Sequence, residues 1–247
     1  IWAYLDYVRI VDLAKSVGAD AIHPGYGFLA ESADFARFCQ RRGITFIGPK
    51  PEHIEMFGDK VKAKRIVKDL GLPTVPGVDE PLRDPQDALH YAKEIGFPVM
   101  LKSAYGGGGR GMRVVKREDD LPGLFESAYR EAETFFGKGD LFIEKYLENP
   151  KHIEVQILGD KYGNVVHLGE RDCSIQRKHQ KVLEVTPCPV LPKEMRNKML
   201  GLSVRAMMQV GYESAGTLEF LADIQKGEFY FIEMNTRLQV EHPITER

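Results

Sequence analysis

The sequence predicts an α/β fold, α+β in its later half, from three observations. Helical segments that stop at glycine alternate with short apolar strands in the first half; a strand, a four-glycine loop and a second strand follow one another; and a strand-rich C-terminal stretch carries one long helix.

In chain order, the apolar residues from Tyr4 to Val17 suit a buried helix that stops at Gly18, before a short strand from Asp20 to Ile22. A second helix from Asp34 to Arg42 stops at Gly43, and the strand Ile44 to Ile47 ends at Gly48-Pro49. These first fifty or so residues read as the remains of a doubly wound, Rossmann-like sheet. Lys62 to Leu70 is expected to form a helix closed by Gly71, with Pro73 to Pro76 as a linker. Asp84 and Pro85 cap a helix that ends at Gly96; Phe97 to Leu101 is a strand leading into the glycine loop, and Met112 to Val115 is the strand leaving it. After a helix following Pro122, the strand Leu141 to Tyr146 opens a strand-rich region with one helix at about Glu194 to Val210. The expected divisions are 1–48, a helical linker 49–73, 74–146 and 147–247.

Composition narrows the function classes. A chain of 247 residues that is 43% hydrophobic can bury a substantial core. No apolar run approaches the roughly 18 residues of a membrane span. With 34 basic and 36 acidic residues, no global field draws the chain to nucleic acid or an anionic bilayer, so neither is an expected partner. Cys39, Cys173 and Cys188 are too few and too scattered for a disulfide framework or a zinc site, which points to a reducing interior, cytoplasmic or, in a eukaryote, mitochondrial. The chain opens on Ile1-Trp2-Ala3 and runs straight into a helical pattern, so it is expected to be a fragment truncated at both ends.

Gly106, Gly108 and Gly111 satisfy a dinucleotide-binding fingerprint, but that fingerprint needs a helix directly after the loop, and Met112-Arg113-Val114-Val115 favours a strand. The Walker pattern fails as well, because Met112 stands where its lysine belongs. Four consecutive glycines, Gly106 to Gly109, let backbone amides approach phosphate oxygens, so the hairpin suits a lid over ATP; a plain surface hairpin is the alternative. Lys102 ends an apolar strand, and Lys60 follows Gly58-Asp59 at a helix start. Each position favours an anionic partner for the lysine, unless it is merely solvated.

The runs flanking Gln225-Lys226-Gly227 predict a hairpin. A three-residue loop with Gly227 left-handed pairs Ile224 with Glu228 and sets Glu219 opposite Glu233, with Leu221, Phe229 and Phe231 on the same face. Two facing carboxylates, with Asn235 two residues on, make an oxygen-only set that fits Mg²⁺ or Mn²⁺; a shared proton or an exposed acidic face is the alternative.

Taken together and in order, His23-Pro24-Gly25-Tyr26-Gly27-Phe28, Gly58-Asp59-Lys60, the loop from Gly106 to Met112, Glu144-Lys145-Tyr146-Leu147, Arg171-Asp172-Cys173-Ser174 and Glu233 through Glu241 to His242-Pro243 resemble the biotin carboxylase family of ATP-grasp enzymes. The resemblance implies an ATP-grasp fold: the end of a pre-ATP-grasp subdomain (1–48), a lid subdomain (74–146) and an incomplete C-terminal subdomain (147–247). It implies ATP contacts at Lys60, Lys102, Gly107, Gly108, Gly109, Met112, Glu144, Lys145, Leu147, His152, Gln176 and His179, and metal ligands at Glu219, Glu233 and Asn235, for two Mg²⁺ or Mn²⁺ ions. It implies a bicarbonate pocket of Lys181, Arg237, Gln239 and the Val240 backbone, with Glu241 as general base; Glu241, Arg237 and Lys181 are the expected catalytic set. His23 and His242 read as loop-packing residues and Cys173 as a buried thiol, while Arg171 fits either a structural ion pair or the site.

The activity so implied is carboxylation of carrier-linked biotin by ATP and bicarbonate through carboxyphosphate, with a biotin carrier, a carboxyltransferase and a second copy of the chain as partners. His242-Pro243 after Glu241 leans the assignment toward an acyl-CoA carboxylase of fatty acid synthesis. Three readings stand beside it: a carbamoyl phosphate synthetase-type ligase, a non-catalytic ATP-binding module and, from the glycine loop alone, a nicotinamide oxidoreductase.

Overall fold

The computed structural model describes residues 2–78, 80–103, 112–136, 139–177 and 180–246, with backbone alone at 60, 61, 135 and 136. The chain forms two compact units, Ile1–Thr74 with Pro150–Arg247, and Val75–Asn149.

The first unit begins with α1 (Trp2–Leu5), α2 (Tyr7–Ser16), β1 (Ala21–Ile22), a 3-10 turn (Phe28–Glu31), α3 (Ala33–Arg41) and β2 (Thr45–Phe46). The single buried helix expected from Tyr4 to Val17 is corrected. Asp6 interrupts it and caps α2 by accepting from the Arg9 amide. Only Val11 of α2 is fully buried, where it meets Phe35 and Cys39 of α3. Leu13, Val8 and Tyr4 are exposed, so an apolar periodicity here marks one packed face rather than full burial. β1 and β2 pair in parallel, Ala21 with Thr45 and Ile22 with Phe46, as a doubly wound sheet requires.

Two helices follow where the sequence predicts one from Lys62: α4 (Pro51–Gly58) and α5 (Lys60–Asp69). Pro51 opens α4 with its fixed φ. Asp59 then takes an extended conformation between them, and its carboxylate accepts from the Lys62 amide, so a new helix starts one residue after the old one stops.

The rest of the unit is a five-stranded antiparallel sheet with the order β10-β9-β6-β7-β8, built from β6 (Lys151–Gly159), β7 (Val165–Arg177), β8 (Gln180–Val185), β9 (Ser214–Asp223) and β10 (Glu228–Asn235). Helix α8 (Lys193–Gln209) lies in the connection from β8 to β9. Side chains alternate across the sheet. Ile153, Val155, Ile157, Leu218 and Phe220 enter one core with Val67 of α5 and Met195, Met199 and Met207 of α8. His152, Glu154, Gln156, Thr217 and Glu219 alternate with them and occupy the opposite face. Each fully buried apolar side chain contributes roughly 1.5–3 kcal/mol, so the apolar face anchors a sheet whose other face carries this row of polar side chains.

The second unit contains α6 (Pro85–Ile95), β3 (Val99–Ser103), β4 (Met112–Val115), α7 (Leu121–Phe136) and β5 (Leu141–Lys145). Asp84 accepts from the Gln86 and Asp87 amides to start α6, and Gly96 ends it at φ +81°. β3 lies between β4 and β5, antiparallel to both, and Val99, Leu101, Val115, Leu141 and Ile143 pack with Ala88 and Ala92 of α6 and Phe125, Ala128 and Ala132 of α7. A strand follows the glycine loop, so the helix that a dinucleotide-binding fingerprint needs is not there. Gly107, Gly108 and Gly109 lie outside the described residues, as do His179 and the side chain of Lys60. No helix among the described residues is long and apolar enough to cross a membrane.

Candidate active site

The polar face of the five-stranded sheet opens onto a cavity of about 660 Å³ that brings together ten of the expected site residues: His152, Gln176, Lys181, Glu219, Glu233, Asn235, Arg237, Gln239, Val240 and Glu241. Lys102, Met112, Glu144, Lys145 and Leu147 belong to the second unit.

The hairpin that carries the acidic pair reaches the expected result by a different route. The loop has four residues, and the pairs next to it are Glu228 with Asp223 and Phe231 with Phe220, one residue off the expected register. Continued unchanged, that ladder would turn Glu233 away from Glu219. A bulge between Phe231 and Glu233 adds one residue and restores the register, so Glu233 does face Glu219 and Asn235 pairs with Thr217. Phe229 and Phe231, before the bulge, therefore lie in the core rather than beside Glu219; of the three expected neighbours, Leu221 alone lines the cavity. Gly227 takes the expected left-handed conformation at φ +71°.

The carboxylate conflict is also resolved differently. Glu219 is almost fully buried, and the chain's own donors meet it: His152 Nε2 and Asn235 Nδ2 at 2.6 Å each, and Lys181 Nζ at 3.2 Å. Burial alone would raise its pKa, but the His152 hydrogen bond and the Lys181 charge outweigh it and bring it down to about 2. The donor set nonetheless fits a hard divalent cation. Glu219 and Glu233 supply facing carboxylates, and the Asn235 amide oxygen, 3.4 Å from Arg237 Nη2, could serve as a neutral third ligand.

Lys181 is the hub of the cavity. Its ammonium contacts Glu154 and lies 3.2 Å from Glu219 Oε1 and 3.3 Å from Glu241 Oε1. Burial would lower its pKa, yet Glu219 and Glu154 together push it up, so it stays a cation throughout the physiological range. His152 is held at both nitrogens, by Glu219 and by the Gln176 amide at 2.8 Å, and Gln176 also donates to the Cys173 carbonyl. With Gln176 Nε2 directed at Nδ1, the ring carries its proton on Nε2 and donates to Glu219.

Arg171 resolves toward a buried ion pair that also orders the site. It is 1% exposed and donates to Glu154 Oε1, Gln156 Oε1, Thr245 Oγ1 and Gln239 Oε1. A guanidinium cannot accept, so Gln239 must present its oxygen to Arg171, which leaves its NH₂ group to point elsewhere. Arg237 is braced by Glu31, whose other oxygen accepts from the Thr236 amide at 3.0 Å. Glu241 precedes a 3-10 turn (His242–Ile244) and its carbonyl accepts from the Ile244 amide, which fixes the backbone beneath its carboxylate. Burial raises the pKa of Cys173, as befits an inert thiol; His23 and His242 both pack near the Tyr26 ring.

Glu154 and Glu31 lie outside the expected site residues. Glu154 had a signal: a lone acid alternating with Ile153, Val155 and Ile157 on a strand is either a solvated face or a buried charge with a partner. Glu31 had none, because its partners Thr236 and Arg237 are about two hundred residues away in sequence. In the second unit, Lys102 already has an anionic partner. Met100 pairs with Glu144 and Lys102 with Phe142, so the Glu144 carboxylate lies diagonally across from Lys102 on the same face and contacts it. Lys145 donates to the Gly96 and Phe97 carbonyls and ties β5 to the turn after α6.

Residues 59–247 match the ATP-binding domain of the carbamoyl-phosphate synthase L chain and residues 1–54 match the biotin carboxylase N-terminal domain, so the chain belongs to the biotin carboxylase family of ATP-grasp domains. It is 60% identical over 98% of its length to the 2-oxoglutarate carboxylase small subunit of Hydrogenobacter thermophilus, and 54% identical over its whole length to mitochondrial pyruvate carboxylase of Mus musculus. It spans 51% of the first and 21% of the second. Among solved structures, the biotin carboxylase domain dimer of the Hydrogenobacter 2-oxoglutarate carboxylase, in complex with MgADP, ADP and bicarbonate, superposes with a TM-score of 0.81 at 60% identity, over 98% of this chain and 53% of that one. These relatives do not support the lean toward an acyl-CoA carboxylase of fatty acid synthesis. Two residues after Glu241 carry too little information to name an acceptor.

Proposed function

We propose that the protein containing this chain uses Mg-ATP (or Mn-ATP) and bicarbonate to carboxylate biotin on a carrier protein or domain, as the first half-reaction of a biotin-dependent carboxylase. The observation that carries this reading is the Lys181 ammonium, which holds Glu241 and Glu219 within 3.3 Å in one cavity and so ties a base to a carboxylate of the cation set.

Lys181, Arg237, the NH₂ group of Gln239 and the Val240 backbone hold the bicarbonate, and Glu241 takes its proton. The dianion is a competent nucleophile where the monoanion is not. Its oxygen attacks the γ-phosphorus of ATP, the bond to ADP breaks, and carboxyphosphate is left. Cleavage of the carboxyphosphate C–O bond yields carbon dioxide and phosphate; the phosphate takes the ureido proton of biotin, and the ring nitrogen attacks the carbon dioxide. Glu219, Glu233 and Asn235 would hold the divalent ions, two by family resemblance, which supply charge neutralisation between the phosphates. For ATP itself the family resemblance assigns Lys60, Lys102, Gly107, Gly108 and Gly109 to the phosphates and lid, Met112, Glu144, Lys145 and Leu147 to adenine, and His152, Gln176 and His179 to the ribose side. Lys102 would exchange Glu144 for phosphate when nucleotide enters.

The 2-oxoglutarate and pyruvate carboxylase relatives favour a 2-oxo acid as the final acceptor, handled by a separate carboxyltransferase, and the dimeric relative favours a homodimer of the full-length protein. ADP release by the full-length protein is expected to depend on both bicarbonate and free biotin. Full-rate release with bicarbonate alone would move the chain to a biotin-independent carboxyphosphate enzyme, and release without bicarbonate would overturn the reading.

A further inference from the structure

Strand β8 breaks the alternation of a regular strand at the cavity. Lys181 and Glu184 are three residues apart, an odd spacing that should turn them to opposite faces, yet both line the cavity while Val182 and Leu183 between them are exposed. The β7–β8 ladder shows how: it pairs Asp172 with Val185, then Ile175 with Leu183, then Gln176 with Lys181, shifting register twice within six residues of β8. The irregularity brings a second titratable side chain of β8 to the site.

The surroundings of Glu184 are unusual for a carboxylate. Glu154 of β6 and Cys173 of β7 each place a polar atom within 4.8 Å of it, and Glu241 approaches from the segment after β10. His152, Glu219, Glu233 and Arg237 line the same cavity. The two nearest cations are committed elsewhere. Arg171 Nε is 3.6 Å from Glu184 Oε2 but donates to Glu154, and the Lys181 ammonium is occupied by Glu154, Glu219 and Glu241. Glu184 Oε2 is buried and has no hydrogen-bond partner among the described residues. An ionised carboxylate so placed would be largely desolvated and beside two acids, with one oxygen unbonded, whereas a protonated one can carry its proton on the oxygen that is not buried and direct it into the cavity it lines.

We propose that Glu184 is a protonated carboxyl in the working site and donates a hydrogen bond to an oxygen of the bound bicarbonate, so that its ionisation weakens bicarbonate binding. This rests on the bicarbonate reading above. Burial, with Glu154 and Glu241, pushes the Glu184 pKa up to about 7, despite the opposing pull of Lys181 and Arg171. Ionised, Glu184 would add a further negative charge to a cavity that Glu219, Glu233 and Glu241 already line, with Glu154 buried beneath Lys181, and that must admit an anion.

The test is the KM for bicarbonate from pH 6.5 to 8.5 at saturating Mg-ATP and biotin, in the full-length wild-type protein and in Glu184→Gln, with the melting temperature of both as an independent readout. Glutamine keeps a donor that does not titrate. The wild-type KM is expected to rise across this range by up to about twentyfold relative to the variant, with the effect in KM rather than kcat. A carboxyl whose folded pKa is raised loses stabilisation as pH rises through that value, so the variant should melt a few degrees above wild type at pH 8.5 and not at pH 5. Parallel KM profiles, or a collapse of kcat like that expected for a lost base, would overturn the proposal. Absence of bicarbonate-dependent turnover in both proteins would instead overturn the proposed function, and the anion-binding role with it.

Discussion

Glu241→Gln is expected to lower bicarbonate-dependent ADP release by about 10²- to 10⁴-fold while changing nucleotide affinity less than about twofold. The Glu241 carboxylate is 3.3 Å from the Lys181 ammonium, and a glutamine amide oxygen can accept from Lys181 in the same place. The backbone beneath it is set by the 3-10 turn and not by the carboxylate, so the substitution removes a base and little else. Single-turnover ADP formation at saturating bicarbonate, beside a nucleotide titration, separates the outcomes. A parallel fall in nucleotide affinity would assign Glu241 to the nucleotide rather than to the bicarbonate proton.

Arg171→Leu is expected to destabilise the first unit by about 3–5 kcal/mol, because it removes one partner of a buried ion pair and leaves the other. Glu154 is completely buried and shares its charge between Arg171 and Lys181; without Arg171, the side-chain oxygens of Gln156 and Gln239 also lose their donor. For a chain of this size that corresponds to a melting temperature roughly 10 °C lower, readable by thermal denaturation. Arg171→Lys keeps the charge but cannot reach four acceptors, so it should fall between the two. A leucine variant that melts within a degree of wild type would show that the buried network is not what holds this face of the sheet together.

What the sequence made legible was mostly local. Asp84-Pro85 and Gly96 bracket α6 because a cap and a left-handed stop act within a few residues, and the parallel pairing of β1 and β2 followed from two short strands separated by a glycine-terminated helix. The hairpin illustrates the limit. Glu219 faces Glu233 as expected, but only because a four-residue loop and a bulge offset each other, and neither carries a sequence signal as clear as Gly227. The error showed at Phe229 and Phe231, which lie before the bulge and therefore point into the core. Contacts between distant segments were the least legible: Glu31 bracing Arg237, and Arg171 orienting Gln239, depend on strand order in a five-stranded sheet that no local pattern specifies. The family resemblance supplied Lys181, Glu219, Glu241 and Gln239, but Glu154, the third carboxylate on Lys181, became visible only once the five-stranded sheet brought β6 and β8 to one face, with β7 between them.

In the proposed reaction this cavity joins bicarbonate to the phosphate of ATP before carbon reaches biotin. Turnover of ¹⁸O-labelled bicarbonate by the full-length protein, with the products separated and weighed by mass spectrometry, tests it directly. One labelled oxygen is expected in each inorganic phosphate released, with the other two in the carboxyl group of carboxybiotin. Carboxybiotin formed with no label in the phosphate would contradict it, since bicarbonate would then never have attacked the γ-phosphorus.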